Sequence, residues 1–222
     1  MRRTLLAALT ATLLATALPA WATLDTAPTA RAVPSGHDRL DAVPLLLVGF
    51  DRSIAAANGF AVVEFDDGSQ ASIPTGFLGS VTDATEAVRV GAAVVFAHTP
   101  GSSLTGAATQ SEIIAGNCGL SWFYLDTFRR QYRVSTGFTI NSDWAPAVAY
   151  RWVTWVDGPG WANEWRTFVG ALRFERSWQT WWLRRDRPPG WYAGEVVSGT
   201  VVLSDGSICV SGGPSSSGRV TR

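Results

Sequence analysis

Residues 130–140 read RQYRVSTGFTI, and this stretch decides the fold class. Every second position carries a residue suited to a buried face, namely Tyr132, Val134, Thr136, Phe138 and Ile140. Because successive side chains of a strand point to opposite faces, this period of two predicts a half-buried β-strand.

Similar short runs lie on both sides of this strand. They read CGLSWFYL, AVAYRWVTWV, WRTFVGALRF, WQTWWLRR and EVVSGTVVLSDGSICVSG, and most of them end at clusters of Gly, Pro and Asp. This organisation predicts an all-β protein, an antiparallel β-sandwich or barrel that forms a single domain over residues 44–222. Asp205-Gly206 predicts a two-residue hairpin turn that places Val202 near Cys209.

The region before this strand is less regular. After the apolar run LLLVGF, Asn58-Gly59 and Asp67-Gly68 each predict a tight hairpin turn. A capping residue, Thr82 or Asp83, predicts one short helix near 82–90. The overlapping run VGAAVVFA fits a buried strand equally well.

The N-terminus has the features of an export signal. Two arginines precede an apolar run over 5–19, and the small residues of Ala-Trp-Ala follow at 20–22. We predict a signal peptide over 1–22, cleaved between Ala22 and Thr23, with the Sec and twin-arginine routes left open. The alternative is a membrane anchor, but the run is shorter than the ~20 apolar residues of a spanning helix. The mature chain is therefore predicted to be secreted, without a transmembrane anchor.

Two further predictions follow for an exported chain. Residues 23–43 are rich in Pro, Ala and Thr without periodicity, which predicts a flexible leader or a loosely docked strand. Cys118 and Cys209 are the only cysteines, and two cysteines in an oxidising compartment predict one disulfide. Two free buried thiols are the alternative.

Charge and tryptophan are distributed unevenly along the chain. Residues 23–126 carry four Arg and eleven acidic residues, whereas residues 127–222 carry twelve Arg and seven acidic residues. Nine tryptophans lie between Trp144 and Trp191. The chain has no Lys, which excludes Schiff-base lysine chemistry and the P-loop lysine. Export and the mild basic excess argue against nucleic acid as a partner, and the oligomeric state is left open.

Part of the chain resembles a known group. GNCGLSWFYL, TGFTI, AVAYRWVTW and SGTVVLSDGSICVSG, within residues 116–211, resemble secreted actinobacterial β-proteins of unknown function. The resemblance implies export and β-structure, and it carries no catalytic residue across.

Residues for common catalytic centres are scarce. His37 and His98 are the only histidines, and no G-x-S-x-G motif is present. Two histidines and two paired cysteines do not make a zinc site, so we predict no metal and no cofactor. Glu164, Glu175 and Glu195 lie in the Trp-rich part, and a pair of carboxylates is what a glycosidase requires. An extracellular hydrolase of this kind is therefore the alternative function.

The most concentrated set of aromatic and basic residues is SWQTWWLRRDRPPGWY, residues 177–192. On a helix Trp178, Trp181, Trp182 and Arg185 would share a face. The flanking β-pattern favours a strand, which divides the cluster between two faces. We expect Trp178 and Trp182 to enter the core, following Leu172 and Phe174, and Trp181 to be exposed.

The same alternation applies to an earlier strand. Trp155 is expected on the side of Arg151, opposite Tyr150 and Trp152. The candidate ligand-binding residues are Trp155, Trp181, Arg151 and Arg185. Indoles stack on sugar faces and guanidinium groups bind anionic groups, so the favoured function is non-catalytic binding of an extracellular polysaccharide or protein. An inhibitor or toxin-like interaction protein is a third possibility.

Overall fold

A computed structural model describes residues 42–96, 117–160 and 162–222. These residues lie within one compact unit, Ser35–Arg222. The predicted signal peptide, its cleavage site at Ala22 and Thr23, and most of the predicted leader lie outside the described residues. The first strand begins at Val43, one residue before the predicted start of the domain at residue 44.

The protein is mostly β-structure, as the sequence predicts. The strands of the large sheet are β1 (Val43–Phe50), β5 (Asn117–Phe128), β6 (Gln131–Ile140), β7 (Ala147–Gly158), β8 (Ala162–Glu175), β9 (Ser177–Arg184), β10 (Gly190–Leu203), β11 (Ser207–Ser211) and β12 (Ser215–Val220). A second sheet contains β2 (Phe60–Glu64), β3 (Gln70–Pro74) and β4 (Ala93–Val95). Two short helices, α1 (Arg52–Ala57) and α2 (Ala84–Arg89), and a 3-10 turn at Thr75–Phe77 complete the described elements.

The large sheet curls into a nearly closed antiparallel barrel. Its strand order is β8-β7-β10-β11-β1-β5-β6-β9, and β12 pairs with the first part of β10. Because β10 pairs with β12 at one end and with β11 at the other, it has neighbours on both edges along most of its length. The sheet order ends at β8 on one side and at β9 on the other.

The period of two in β6 fills the interior of this barrel. All five residues that the pattern predicts to be buried are 2% exposed or less. Phe123 of the neighbouring strand β5, Trp152 of β7 and Tyr192 of β10 belong to the same core cluster. The buried Trp152 indole donates a hydrogen bond of 2.9 Å to the Thr136 hydroxyl, so this polar group is satisfied inside the core.

The predicted disulfide is present. Cys118 of β5 and Cys209 of β11 are bonded and fully buried, and they join the two strands that flank β1. The predicted position of Val202 near Cys209 is wrong by one residue, because Cys209 pairs with Val201. The hairpin loop has three residues, 204–206, and ends at Gly206 with a φ of +86°, which favours glycine.

The predicted short helix is present as α2, next to the strands of the second sheet. Helix α2 begins after Asp83, whose carboxylate accepts a hydrogen bond of 2.8 Å from the Glu86 backbone N–H. Asp67-Gly68 lies in the β2–β3 hairpin turn, as predicted. Asn58-Gly59 does not form a hairpin turn, because it ends helix α1, an element that the sequence analysis missed. Asp51 caps α1 through its side chain, a signal that was available in the sequence.

Among the described residues, no helix has the length and apolar character needed to cross a membrane.

Replacing both cysteines with alanine (C118A/C209A) should lower the free energy of unfolding by about 2–4 kcal/mol. The physical reason is that the two cysteines are 91 residues apart, so their bond restricts a long stretch of the unfolded chain. Urea denaturation followed by tryptophan fluorescence measures the effect. When a reductant is present throughout unfolding, wild type and variant should converge. Equal midpoints under oxidising conditions would contradict a stabilising disulfide.

Candidate functional site

The two faces of β9 separate its tryptophans as the alternation predicts. Trp182 is buried, and the Trp178 ring lies 4.4 Å from that of Tyr150, measured between centroids. Trp181 points outward and is 65% exposed. Phe174 corrects one expectation, because it is 60% exposed rather than in the core. Its backbone has a φ of +57°, and this left-handed residue breaks the alternation just before β9 begins.

Side chains close the seam between β8 and β9, the two strands at the ends of the sheet order. The Phe168 ring of β8 lies 5.6 Å from Trp178 and 5.8 Å from Trp182, measured between centroids. The Arg166 guanidinium lies 4.6 Å from the centroid of the Trp182 ring, a cation–π contact. Aromatic side chains therefore hold β8 and β9 together along this seam, whereas backbone hydrogen bonds join the strands that are neighbours in the sheet order.

Polar contacts of the Glu164 carboxylate also join β8 to β9 along this seam. Arg184 donates two hydrogen bonds of 2.7 and 2.6 Å to its carboxylate, Arg166 donates one of 2.6 Å and the Tyr132 hydroxyl donates one of 3.0 Å. Burial opposes ionisation, but these hydrogen bonds outweigh it and lower the pKa of Glu164 to about 2. Burial, followed by the nearby carboxylate, raises the pKa of the Tyr132 hydroxyl, which therefore stays a donor. Glu164 is an ionised structural group and is unsuited to act as a general acid.

The three glutamates considered for a glycosidase do not come together. Glu164 faces the interior, and its pairing partner on β7 is Val156, whereas Glu195 pairs with the next outward residue, Trp155. Their side chains therefore leave opposite faces of the sheet. Glu175 is exposed at the far end of β8, where it pairs with Ala147. Of the three, Glu195 lines a groove on the outer face.

The four candidate ligand-binding residues lie on two strands. Arg151 and Trp155 share the outer face of β7, with Arg151 exposed and Trp155 half-buried. Trp181 lies on β9, which borders β6, and the exposed Arg185 follows the end of β9. Within the part of the chain that the structure describes, the ring contact of Trp155 is with Trp165 and not with Trp181.

Trp155 and Trp165 form an indole pair on the outside of the barrel. Their positions are paired across β7 and β8, and their ring centroids lie 6.2 Å apart with the planes tilted by 40°. Both indole N–H groups donate to the Asn163 side-chain oxygen, at 2.7 Å from Trp155 and 3.0 Å from Trp165. This shared acceptor uses the indole N–H groups and holds the two rings in place, which leaves their faces free for contact with a ligand.

A groove of about 430 Å³ lies beside Trp155. It is lined by Trp155, Ala193, Gly194, Glu195, Ser215, Ser216 and Ser217. The floor is low because, apart from Glu195, the residues that pair here between β10 and β12 are Ala193, Gly194 and Ser215–Ser217, all of them small. Gly194 is required, since a Cβ at this position would lie 2.7 Å from the Phe123 ring, which supports the floor from inside.

Further outward residues extend this surface along β7, β10 and β12. Asp157 follows Trp155 on the outer face of β7, and Trp191 is 67% exposed on the outer face of β10. Trp191 pairs with Arg219 of β12. We refer to Trp155, Trp165, Asn163, Glu195, Ser215 and Ser217 as the outer-face site. These side chains share the outer face of the barrel, and Trp155, Glu195, Ser215 and Ser217 line the groove.

Two members of this outer-face site were candidates from the sequence, Trp155 for ligand binding and Glu195 as a glycosidase carboxylate, whereas Trp165, Asn163 and the serines were not. The period of two does place Trp165 and Asn163 on one face of β8, and Ser215 and Ser217 on one face of β12. The period of two does not reveal the order of the strands, and it is this order that brings these faces together. Within the described residues, no group of three or more His, Cys, Asp or Glu is arranged to hold a metal ion.

Comparisons with known proteins assign no family. No protein-family model matches the chain, and no curated protein matches it. A solved structure of β-glucosidase from Listeria innocua in complex with glucose is matched with 13% identity and a TM-score of 0.23, over 46% of this chain and 17% of that chain. A likeness at this TM-score carries no argument about function. The resemblance to secreted actinobacterial β-proteins stays a prediction.

Replacing Glu164 with glutamine (E164Q) should lower the free energy of unfolding at neutral pH by about 1–3 kcal/mol, because three donors lose a charged acceptor. The pKa of Glu164 is lower in the folded state than its ordinary value of 4.5, so its contribution is complete above that value. The contribution is lost as the pH falls toward about 2.

Urea denaturation at a series of pH values tests this expectation. The difference between wild type and E164Q should shrink as the pH falls from about 4.5 to about 2. E175Q is the matched control, since the same substitution is made at an exposed end of the same strand. A constant difference across this range would contradict the role of the ionised Glu164.

Proposed function

We propose that this is an exported, non-catalytic protein that binds an extracellular polysaccharide through the outer-face site. The observation that supports this most is the indole pair of Trp155 and Trp165, fixed by Asn163 next to a groove. Apolar ring faces beside a few well-placed polar groups are typical of small-ligand and sugar sites. The disulfide between Cys118 and Cys209 is compatible with export, because such bonds persist in oxidising compartments.

The tilt between the two indoles supports a particular kind of glycan. Sugar rings that stack on Trp155 and Trp165 must follow planes 40° apart. A flat crystalline array of chains presents sugar faces in one plane, so it does not match both indoles. A single chain can rotate about its glycosidic bonds, and therefore a free, soluble polysaccharide fits the pair better.

One pair of acidic residues, Asp157 and Glu195, supports the hydrolase alternative. Asp157 lies one outward position along β7 from Trp155, the partner of Glu195, so the two acidic residues are diagonal neighbours on one face. Diagonal neighbours on adjacent strands are ~7–8 Å apart, and a glycosidase needs its two carboxyl groups about 5–9.5 Å apart. Reducing ends released by wild type, and not by E195Q or D157N, would favour this alternative over simple binding.

Replacing either indole of the pair with alanine (W155A or W165A) should weaken binding of soluble polysaccharides roughly tenfold. The loss is expected because each substitution removes one stacking face of the outer-face site. A glycan array selects the polysaccharide, and isothermal titration calorimetry measures the dissociation constants. Far-ultraviolet circular dichroism checks that both variants fold.

W181A is the matched control, because Trp181 is also an outward tryptophan and is 65% exposed. It should bind the same polysaccharide as wild type does. A loss in W181A or R185A, with W155A and W165A unaffected, would move the site to β9. Absence of binding to any polysaccharide would contradict the proposed function and direct the search to a protein partner.

A further inference from the structure

The outer-face site carries a negative charge, which limits the kinds of ligand that it can bind. We infer that it selects polysaccharides whose sugars carry protonated amino groups. The inference rests on the proposed function, since it concerns the same groove. Glu195 is the only charged residue among those that line the groove in the described part of the chain. Its carboxylate adds a negative charge at the point where the sugar would lie.

The carboxylate of Glu195 stands beside an aromatic ring. Glu195 and Trp155 are paired across β10 and β7, and both side chains are half-buried in the same outer face. A carboxylate and an indole face at neighbouring positions attract an ammonium group together, the first by a charged hydrogen bond and the second by a cation–π contact. Neutral hydroxyl groups gain only the weaker part of this attraction.

Glu195 is also unoccupied by protein groups. Within the described residues, its carboxylate takes part in no ion pair and no hydrogen bond. The Glu164 carboxylate, in contrast, accepts four hydrogen bonds. A half-buried carboxylate loses part of its hydration without gaining a partner. A cationic ligand restores that interaction, whereas an acidic sugar adds repulsion.

The arginines that would favour acidic sugars lie elsewhere. Arg166 and Arg184 face inward and bind Glu164. Arg219 shares the outer face but pairs with Trp191, four positions from Glu195 and therefore ~13 Å away along β10. Arg151 also shares the outer face, four positions from Trp155 and therefore ~13 Å away along β7. Asp157, which neighbours Trp155 along β7, adds a second negative charge on the same side. The charges next to the groove thus favour a cationic ligand over an anionic one.

Three soluble oligosaccharides of equal length test the inference: a glucosamine oligomer, its N-acetylated counterpart and an oligomer of uronic acid. Calorimetric titration of wild type should give the tightest binding for the glucosamine oligomer and the weakest for the uronic acid oligomer. E195Q should weaken binding of the glucosamine oligomer roughly fivefold more than it weakens binding of the N-acetylated oligomer. E175Q, the same substitution at an exposed position outside the groove, should change neither.

The outcomes separate the two proposals. Equal affinity for the amino and N-acetylated oligomers, or an equal loss in E195Q and E175Q, overturns the charge selectivity. If W155A still weakens binding in that case, the site itself stands as a glycan site. If none of the three oligomers binds, the selectivity is overturned, while the site is judged separately by the glycan array with W155A and W165A. A urea denaturation midpoint for E195Q equal to that of wild type shows that the variant is folded.

Discussion

The carboxylate of Glu164 is the group on which the arrangement of β8 depends. Among the described strands, β8 pairs through its backbone with β7 alone, and its other edge meets β9 through side chains. The hydrogen bonds that Glu164 accepts from Arg184 and Tyr132 therefore join this edge to β9 and β6. An uncompensated charge at this half-closed seam would be costly, so the cluster is stable only when all its members are in place.

The same residue links the inside of the barrel to its outer surface. Glu164 lies between Asn163 and Trp165, and adjacent residues of a strand face opposite ways. By fixing Glu164 inward, the seam directs both neighbours outward, where the Asn163 amide oxygen accepts the hydrogen bonds from Trp155 and Trp165. The three-residue segment 163–165 thus supplies both the inward Glu164 carboxylate and two of the outward residues that form the indole pair and its acceptor.

The predictions from sequence were accurate wherever one local rule was decisive. The period of two identified the buried face of β6 and separated Trp181 from Trp182 on β9. Errors occurred where local geometry departed from the ideal. Phe174 takes a left-handed conformation that reverses its expected direction, and the loop after β10 has three residues, which shifts Cys209 by one position. Neither irregularity has a distinctive signal in the chain, because each depends on how neighbouring strands fit together.

The sequence by itself determined which side chains of β6 and β9 face in and which face out, because alternation is a property of a regular strand backbone. It also determined that Cys118 has only Cys209 as a possible partner. Only the tertiary structure decided which outward faces become neighbours, because strand order and register depend on contacts between distant segments. That order sets Trp155 beside Trp165 and Glu195, while Trp181, from the most Trp-rich stretch of the chain, lies on a strand that borders β6.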